Sequence, residues 1–122
     1  MWGISNRGAR LAEGRRNSRT FVAGLTRIVL RGPVEHTLVE LEGELDFTCT
    51  DEVMRAIEAL PFRIAGIDVS QLDFVDSRGV EMLRDLANDI AVRHGRDRIE
   101  ITGVPRHLQR TFDLVQRYST AV

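Results

Sequence analysis

Lysine is absent from the 122 residues of this chain, and all 17 basic side chains are Arg. Without a lysine there is no Walker-type phosphate loop, no kinase-type ATP lysine, no Schiff-base chemistry and no lysine of the kind a phospho-acceptor receiver domain uses. The single cysteine, Cys49, cannot form an internal disulfide, and three scattered histidines (His36, His94, His107) lack the ligand spacing of a structural zinc site. No apolar run approaches the roughly 20 residues a membrane helix needs, so a membrane-spanning reading is excluded. No secretory pattern leads the chain, and the cytoplasm is the expected location. Nor can a nucleophile, a base and an orienting group be assembled from the residues present, so the expectation is a binding protein without cofactor rather than an enzyme. Asp68, Asp73 and Asp76 have no companion motif that would make them a Mg²⁺ site, and Cys49 reads as a small buried apolar residue.

What is present is enough for one compact domain, and 43% apolar residues can supply its core without staples. The net charge of −1 hides an asymmetry. Residues 1–31 carry seven Arg against Glu13, a balance of +6, whereas residues 32–122 carry ten Arg against 17 carboxylates, a balance of −7. Residues 1–20 show no sustained apolar period and read as a disordered basic tail. Without interleaved aromatics, the charge gives no case for direct nucleic-acid or membrane binding.

Beyond the tail the pattern is β-like. Leu25 to Leu30 is a short apolar run turned by Gly32-Pro33, and Thr37 to Glu42 alternates polar and apolar as a half-buried strand does; together they predict an antiparallel hairpin. Thr48, Thr50 and Asp51 offer N-caps for a helix carrying Val53, Ile57 and Leu60, which ends at Pro61. Arg63 to Val69 is the next strand, prolonged by Leu72 to Asp76. Val80, Leu83, Leu86, Ala87, Ile90 and His94 then mark one stripe of a helix that stops at Gly95. A strand over Arg98 to Thr102 and a helix opened by Pro105, with Leu108, Phe112 and Val115 on its buried face, complete the chain. The order β-β-α-β-α-β-α implies an α/β domain with a mixed sheet of four to five strands covered by three or four helices.

The most informative junction is Asp73-Phe74-Val75-Asp76-Ser77-Arg78-Gly79-Val80, where a strand ends and an amphipathic helix begins. A helix N-terminus favours an anion, so a phosphate on Ser77 would find a supportive position. On spacing alone, the simpler reading is that Asp76 or Ser77 is only an N-cap.

Residues 24–118 resemble the STAS domains, and within them the bacterial anti-anti-sigma factors. Three ordered blocks carry the resemblance: Val39 to Asp46 with its G-E-L-D turn, Ile67 to Val80 with an L-x-F-x-D-S approach to a glycine-opened helix, and Ile101 to Pro105 followed by Leu108, Arg110, Phe112 and Leu114. The resemblance implies a partner-switching protein that binds an anti-sigma factor serine kinase, is phosphorylated on Ser77 and is restored by a serine phosphatase. It also implies a partner-binding set of Glu44, Asp46, Asp76, Ser77, Arg78 and Gly79. Arg78 departs from the family, where many relatives carry Ser or Thr. The chain also ends early, which implies either a very short last strand or the loss of the family's final helix. A STAS scaffold or ligand-sensing module in another signalling or transport complex, never phosphorylated, is the alternative.

Overall fold

The computed structural model describes the backbone of residues 18–120 and the side chains of residues 19–116. Five strands form one sheet in the order β1-β2-β3-β4-β5: β1 (Ser18–Ala23), β2 (Thr26–Arg31), β3 (Thr37–Leu45), β4 (Ile64–Val75) and β5 (Glu100–Thr102). The first three make an antiparallel meander, and β3, β4 and β5 run parallel. Helices α1 (Thr50–Glu58) and α2 (Ser77–Arg93) are the two crossovers, and α3 (Gln109–Thr120) closes the chain. Because both crossovers step the same way across the sheet, the right-handed rule places their helices on one face. The expected α/β class and mixed sheet are therefore present, with five strands and three helices.

Strand β1 is the element the sequence did not announce. Ser18, Arg19 and Thr20, read as the end of a basic tail, belong to the sheet, opposite Arg31, Leu30 and Val29 of β2. The remainder of that tail, residues 1–17, lies outside the described residues. The expected strand over Arg98 to Thr102 is β5, of three residues, and α3 follows it after a 3-10 turn over Arg106–Leu108; α3 runs on to Thr120, so among the described residues no further strand follows it.

The core lies between the sheet and the helix layer. Ile28 and Leu30, Val39 and Leu41, and Ile64, Ile67 and Val69 meet Val53 and Ile57 of α1 and Leu83, Leu86 and Ile90 of α2, all of them buried. On the opposite face, Arg27 and Arg31 of β2 pair with Glu42 and Glu40 of β3, as alternation in a sheet with one wet face requires.

Strand β4 departs from simple alternation. Its register against β3 slips at three places, so that Glu40 and Glu42 face Asp68 and Gln71, and Gly43 and Glu44 face Leu72 and Phe74. The extra residues are bulges, and they explain why Val69, Leu72 and Val75, three apart, all point into the core. The run from Arg63 and its prolongation to Asp76, read in the sequence as two pieces, is thus one bent strand.

Helix α2 ends as Gly95 requires. Gly95 takes φ +66°, its N–H donates to the Val92 carbonyl, and the Arg96 N–H reaches Ala91, a Schellman closure. His94, at the C-cap, holds the start of β4: the Ile64 N–H donates to its Nε2 at 3.1 Å. Accepting that bond requires a neutral ring. Desolvation by burial, then the charges of Arg63, Arg93 and Arg96, hold its pKa below 6.5. Above pH 6.5 the ring is neutral in both folded and unfolded chains, and its contribution to stability is complete. As pH falls below 6.5 the unfolded chain takes up a proton that the folded chain resists, so stability drops. Thermal melts between pH 7.5 and 5.5 are expected to show this loss. His94→Ala should lower stability at pH 7.5 by about 1–3 kcal/mol, the cost of an orphaned N–H, and flatten the slope across that window.

Candidate functional site

Parallel pairing of β3 and β4 brings two distant segments to the same end of the sheet. Leu45 faces Val75 in the register, so the loop that leaves β3 at Asp46 lies beside the turn that leaves β4 at Asp76. Ligand and partner sites collect at this end of parallel strands, outside their carboxyl ends.

Asp76 joins the two segments. It is the N-cap of α2, its Oδ1 accepts from the Gly79 N–H at 2.8 Å, and its Oδ2 accepts from the Phe47 N–H at 2.9 Å. The cap alone is worth about 1 kcal/mol, and the second bond ties the loop to the helix. Of the two residues that could have been the cap, Asp76 fills the role and Ser77 does not. Ser77 is the first residue of α2, and both it and Arg78 are exposed.

Gly79, by contrast, is buried. A Cβ there would lie 2.6 Å from the Leu45 carbonyl oxygen and 2.6 Å from Val75 Cγ2. The absent side chain is what lets the first turn of α2 press against the end of β3, and Gly79 supports the site from below rather than presenting a surface.

The G-E-L-D stretch is mostly strand, since β3 continues to Leu45 and only Asp46 begins the loop. Glu44 is exposed, while its backbone is fastened on both sides: its N–H donates to the Leu25 carbonyl at 3.0 Å and its carbonyl accepts from buried Thr26 Oγ1 at 2.6 Å. Asp46 is half-buried and turned inward on its own loop, where Oδ1 accepts from the Thr48 N–H at 2.9 Å and from the Thr48 hydroxyl. It therefore shapes the loop ahead of α1. The expected caps Thr48, Thr50 and Asp51 are not used, because Cys49 occupies the N-cap position without a side-chain cap bond. Cys49 is buried against Thr26, with Sγ 3.4 Å from its Oγ1, which bears out the apolar reading.

Two residues the sequence reading passed over stand out here. Phe47 and Phe74 are 69% and 46% exposed, one in the loop beside Asp76 and the other opposite Glu44 in the register. Large aromatics left in water beside Ser77 are typical anchors for a partner. The signal available in the sequence was position: Phe47 stands between Asp46 and Thr48 in a turn, and Phe74 follows Asp73 at the end of β4, out of phase with buried Leu72 and Val75. His107, expected at the surface, is exposed and its Nε2–H donates to the Asp73 carbonyl at 2.8 Å, seating the entry to α3 on the last bulge of β4.

Asp68, Asp73 and Asp76 do not converge. Asp68 accepts from the Ser70 N–H and Asp76 caps α2, and no group of three potential metal ligands occurs among the described residues. Among them, too, no helix is long and apolar enough to cross a membrane.

Glu44, Asp76, Ser77 and Arg78 thus share one end of the sheet with two exposed aromatics, while Asp46 and Gly79 shape its base. No curated protein matches the chain. A family model described as "Mlab, STAS domain" does, over residues 28–116, which runs from β2 into α3 and includes every residue of this site. With that match spanning most of its length and an α/β fold of mixed sheet and helices consistent with it, the chain belongs to the STAS domain family.

Proposed function

We propose that this STAS domain is an anti-anti-sigma factor that binds an anti-sigma factor serine kinase, and that phosphorylation of Ser77 switches it off. The observation that carries the reading is the disposition of two neighbours. The Asp76 carboxylate is spent on two backbone N–H groups, while the Ser77 hydroxyl beside it is exposed at the rigid start of a 17-residue helix. A kinase meets an accessible oxygen held by a fixed frame. The Ser77 oxygen attacks the γ-phosphorus of ATP on the partner, ADP leaves, and the hydroxyl proton passes to a base on the kinase. A serine phosphatase returns the hydroxyl.

The switch works through charge. A phosphate adds about −1.5 to −2 charge next to Asp76 and close to Glu44, in the half of the chain that is already negative. A partner fitted to a neutral hydroxyl, two aromatic rings and a fixed pattern of carboxylates loses that fit, and a tenfold weakening needs only about 1.4 kcal/mol. Arg78 moderates the change, since its guanidinium stands one residue away on the exposed first turn.

A second reading has its own observation. Val80, Ile101, Val104 and Phe112 line a cleft of about 300 Å³ between α2, β5 and α3, which suits a STAS module that senses a small ligand in another signalling or transport complex. Incubation with the cognate kinase and ATP, followed by intact-mass measurement, separates the two. A gain of one phosphate supports the switch, and an unchanged mass supports the sensor.

Ser77→Ala is expected to abolish phosphate incorporation and keep kinase binding, whereas Ser77→Asp weakens binding at least tenfold. Wild-type incorporation by Ser77→Ala would remove Ser77 from the mechanism. The acidic pair divides by role. Glu44→Gln should slow association and reduce its salt dependence without moving the melting temperature, as loss of an exposed steering charge does. Asp46→Asn should lower the melting temperature with little change in association rate. Stopped-flow binding at two salt concentrations, beside thermal melts of the free variants, reads both.

A further inference from the structure

Among the described residues, the two edges of the sheet are guarded very differently. Strand β5 ends one side with three residues, carries the Arg98–Glu100 ion pair and is followed by Gly103 and Pro105, all devices that blunt an edge against pairing. Strand β1 ends the other side with six residues in unbroken register with β2. It has no proline and no bulge, and Phe21 and Val22 are 45% and 69% exposed. Its one charged side chain, Arg19, is not held out as a guard: its guanidinium carbon lies 5.7 Å from the centroid of the Phe62 ring in the same chain. The strand also lies outside the stretch that the STAS model matches, which starts at Ile28.

We propose that the β1 edge is the contact surface for a second copy of this chain, joined by antiparallel pairing of β1 with β1 across a two-fold axis at Phe21. The register of β1 on β2 fixes which residues can face each other, and the side-chain pairs then select that axis. Phe21 faces Ile28 and Arg19 faces Leu30, so both lie on the helix side, while Thr20 and Val22 face Val29 and Arg27 on the open side. A two-fold normal to the sheet keeps each side on its own face, and antiparallel pairs must therefore join residues of like parity. Centred on Phe21, the pairing sets Phe21 against Phe21, Thr20 against Val22 and Arg19 against Ala23. Aromatic faces aromatic, a β-branched side chain faces another, and the arginine faces alanine rather than its own copy, so no like charges oppose. The result is a ten-stranded sheet with the helices of both copies on one face. Ser77, beyond β4, is free in each copy.

Sedimentation velocity of the full chain from micromolar to near-millimolar concentration is expected to show a reversible monomer–dimer equilibrium. Phe21→Lys and Phe21→Glu should each abolish the dimer by opposing like charges at the axis, with melts confirming that both fold, and an equimolar mixture of the two should restore it. A milder pair tests the register. Directly opposed residues lie about 4.5–5.5 Å apart between Cα atoms, within reach of a disulfide. Under this axis two copies of Val22 are about 8 Å apart, out of reach. Phe21→Cys should therefore cross-link under mild oxidation at least tenfold faster than Val22→Cys, although Val22 is the more exposed and would win by random collision. A chain that stays monomeric throughout, equal cross-linking rates, or a mixture that fails to pair would overturn the proposal. So would a dimer that forms only after removal of residues 1–17, which would show that the preceding segment occupies the edge instead.

Discussion

One carboxylate holds the functional end of this molecule together. Asp76 has two oxygens and uses each on a different segment, closing the first turn of α2 with one and fastening the loop after β3 with the other. Remove either bond and the frame around Ser77 loosens, because the loop and the helix meet through this carboxylate, the Asp76 N–H on the Leu45 carbonyl and the close packing of Gly79 on Leu45. The same commitment makes Asp76 a poor candidate for a direct partner contact. It is better described as the residue that decides where the hydroxyl beside it stands.

Below that point the construction is layered. Thr26, at the start of β2, donates to the Glu44 carbonyl and touches Cys49, so the first hairpin supports the loop that Asp76 ties from the other side. The buried polar groups here are few and satisfied, which is how a short loop can be rigid without being buried. Phe47 and Phe74 are then presented on a fixed support, and apolar groups presented in that way cost a partner little ordering entropy on binding.

How much of this was legible in the sequence depended on whether the relevant contacts were local. The alternation of Thr37 to Glu42 and the stripe from Val80 to Ile90 repeat at the periods of a strand and a helix, and both elements stand where those periods put them. Strand β1 was not visible because an edge strand buries little: among its described side chains only Ala23 reaches the core, and Gly24 and Arg19 resemble the polar segment before them. The bulges of β4 were hidden for a related reason, since a spacing of three in Val69, Leu72 and Val75 belongs to neither simple period. At the site, the capping role of Asp76 was available from its place before a helix. Its second bond, to Phe47, joins residues 29 apart in the chain and follows from the parallel register alone. The inward turn of Asp46 has no sequence period behind it, and its contacts with Thr48 establish it.

The order of the strands has a kinetic side. Strands β1 to β3 are joined by short turns and pair with their chain neighbours, whereas β4 must find its place beside β3 only after the whole of α1 has been traversed. Loop-closure entropy makes such non-local pairing the later event. The frame around Ser77 exists only once that event is complete, because half of it comes from the loop after β3 and half from the turn after β4. An unfinished chain therefore displays the serine without its surroundings, and a partner that reads the surroundings selects against molecules still in the course of folding.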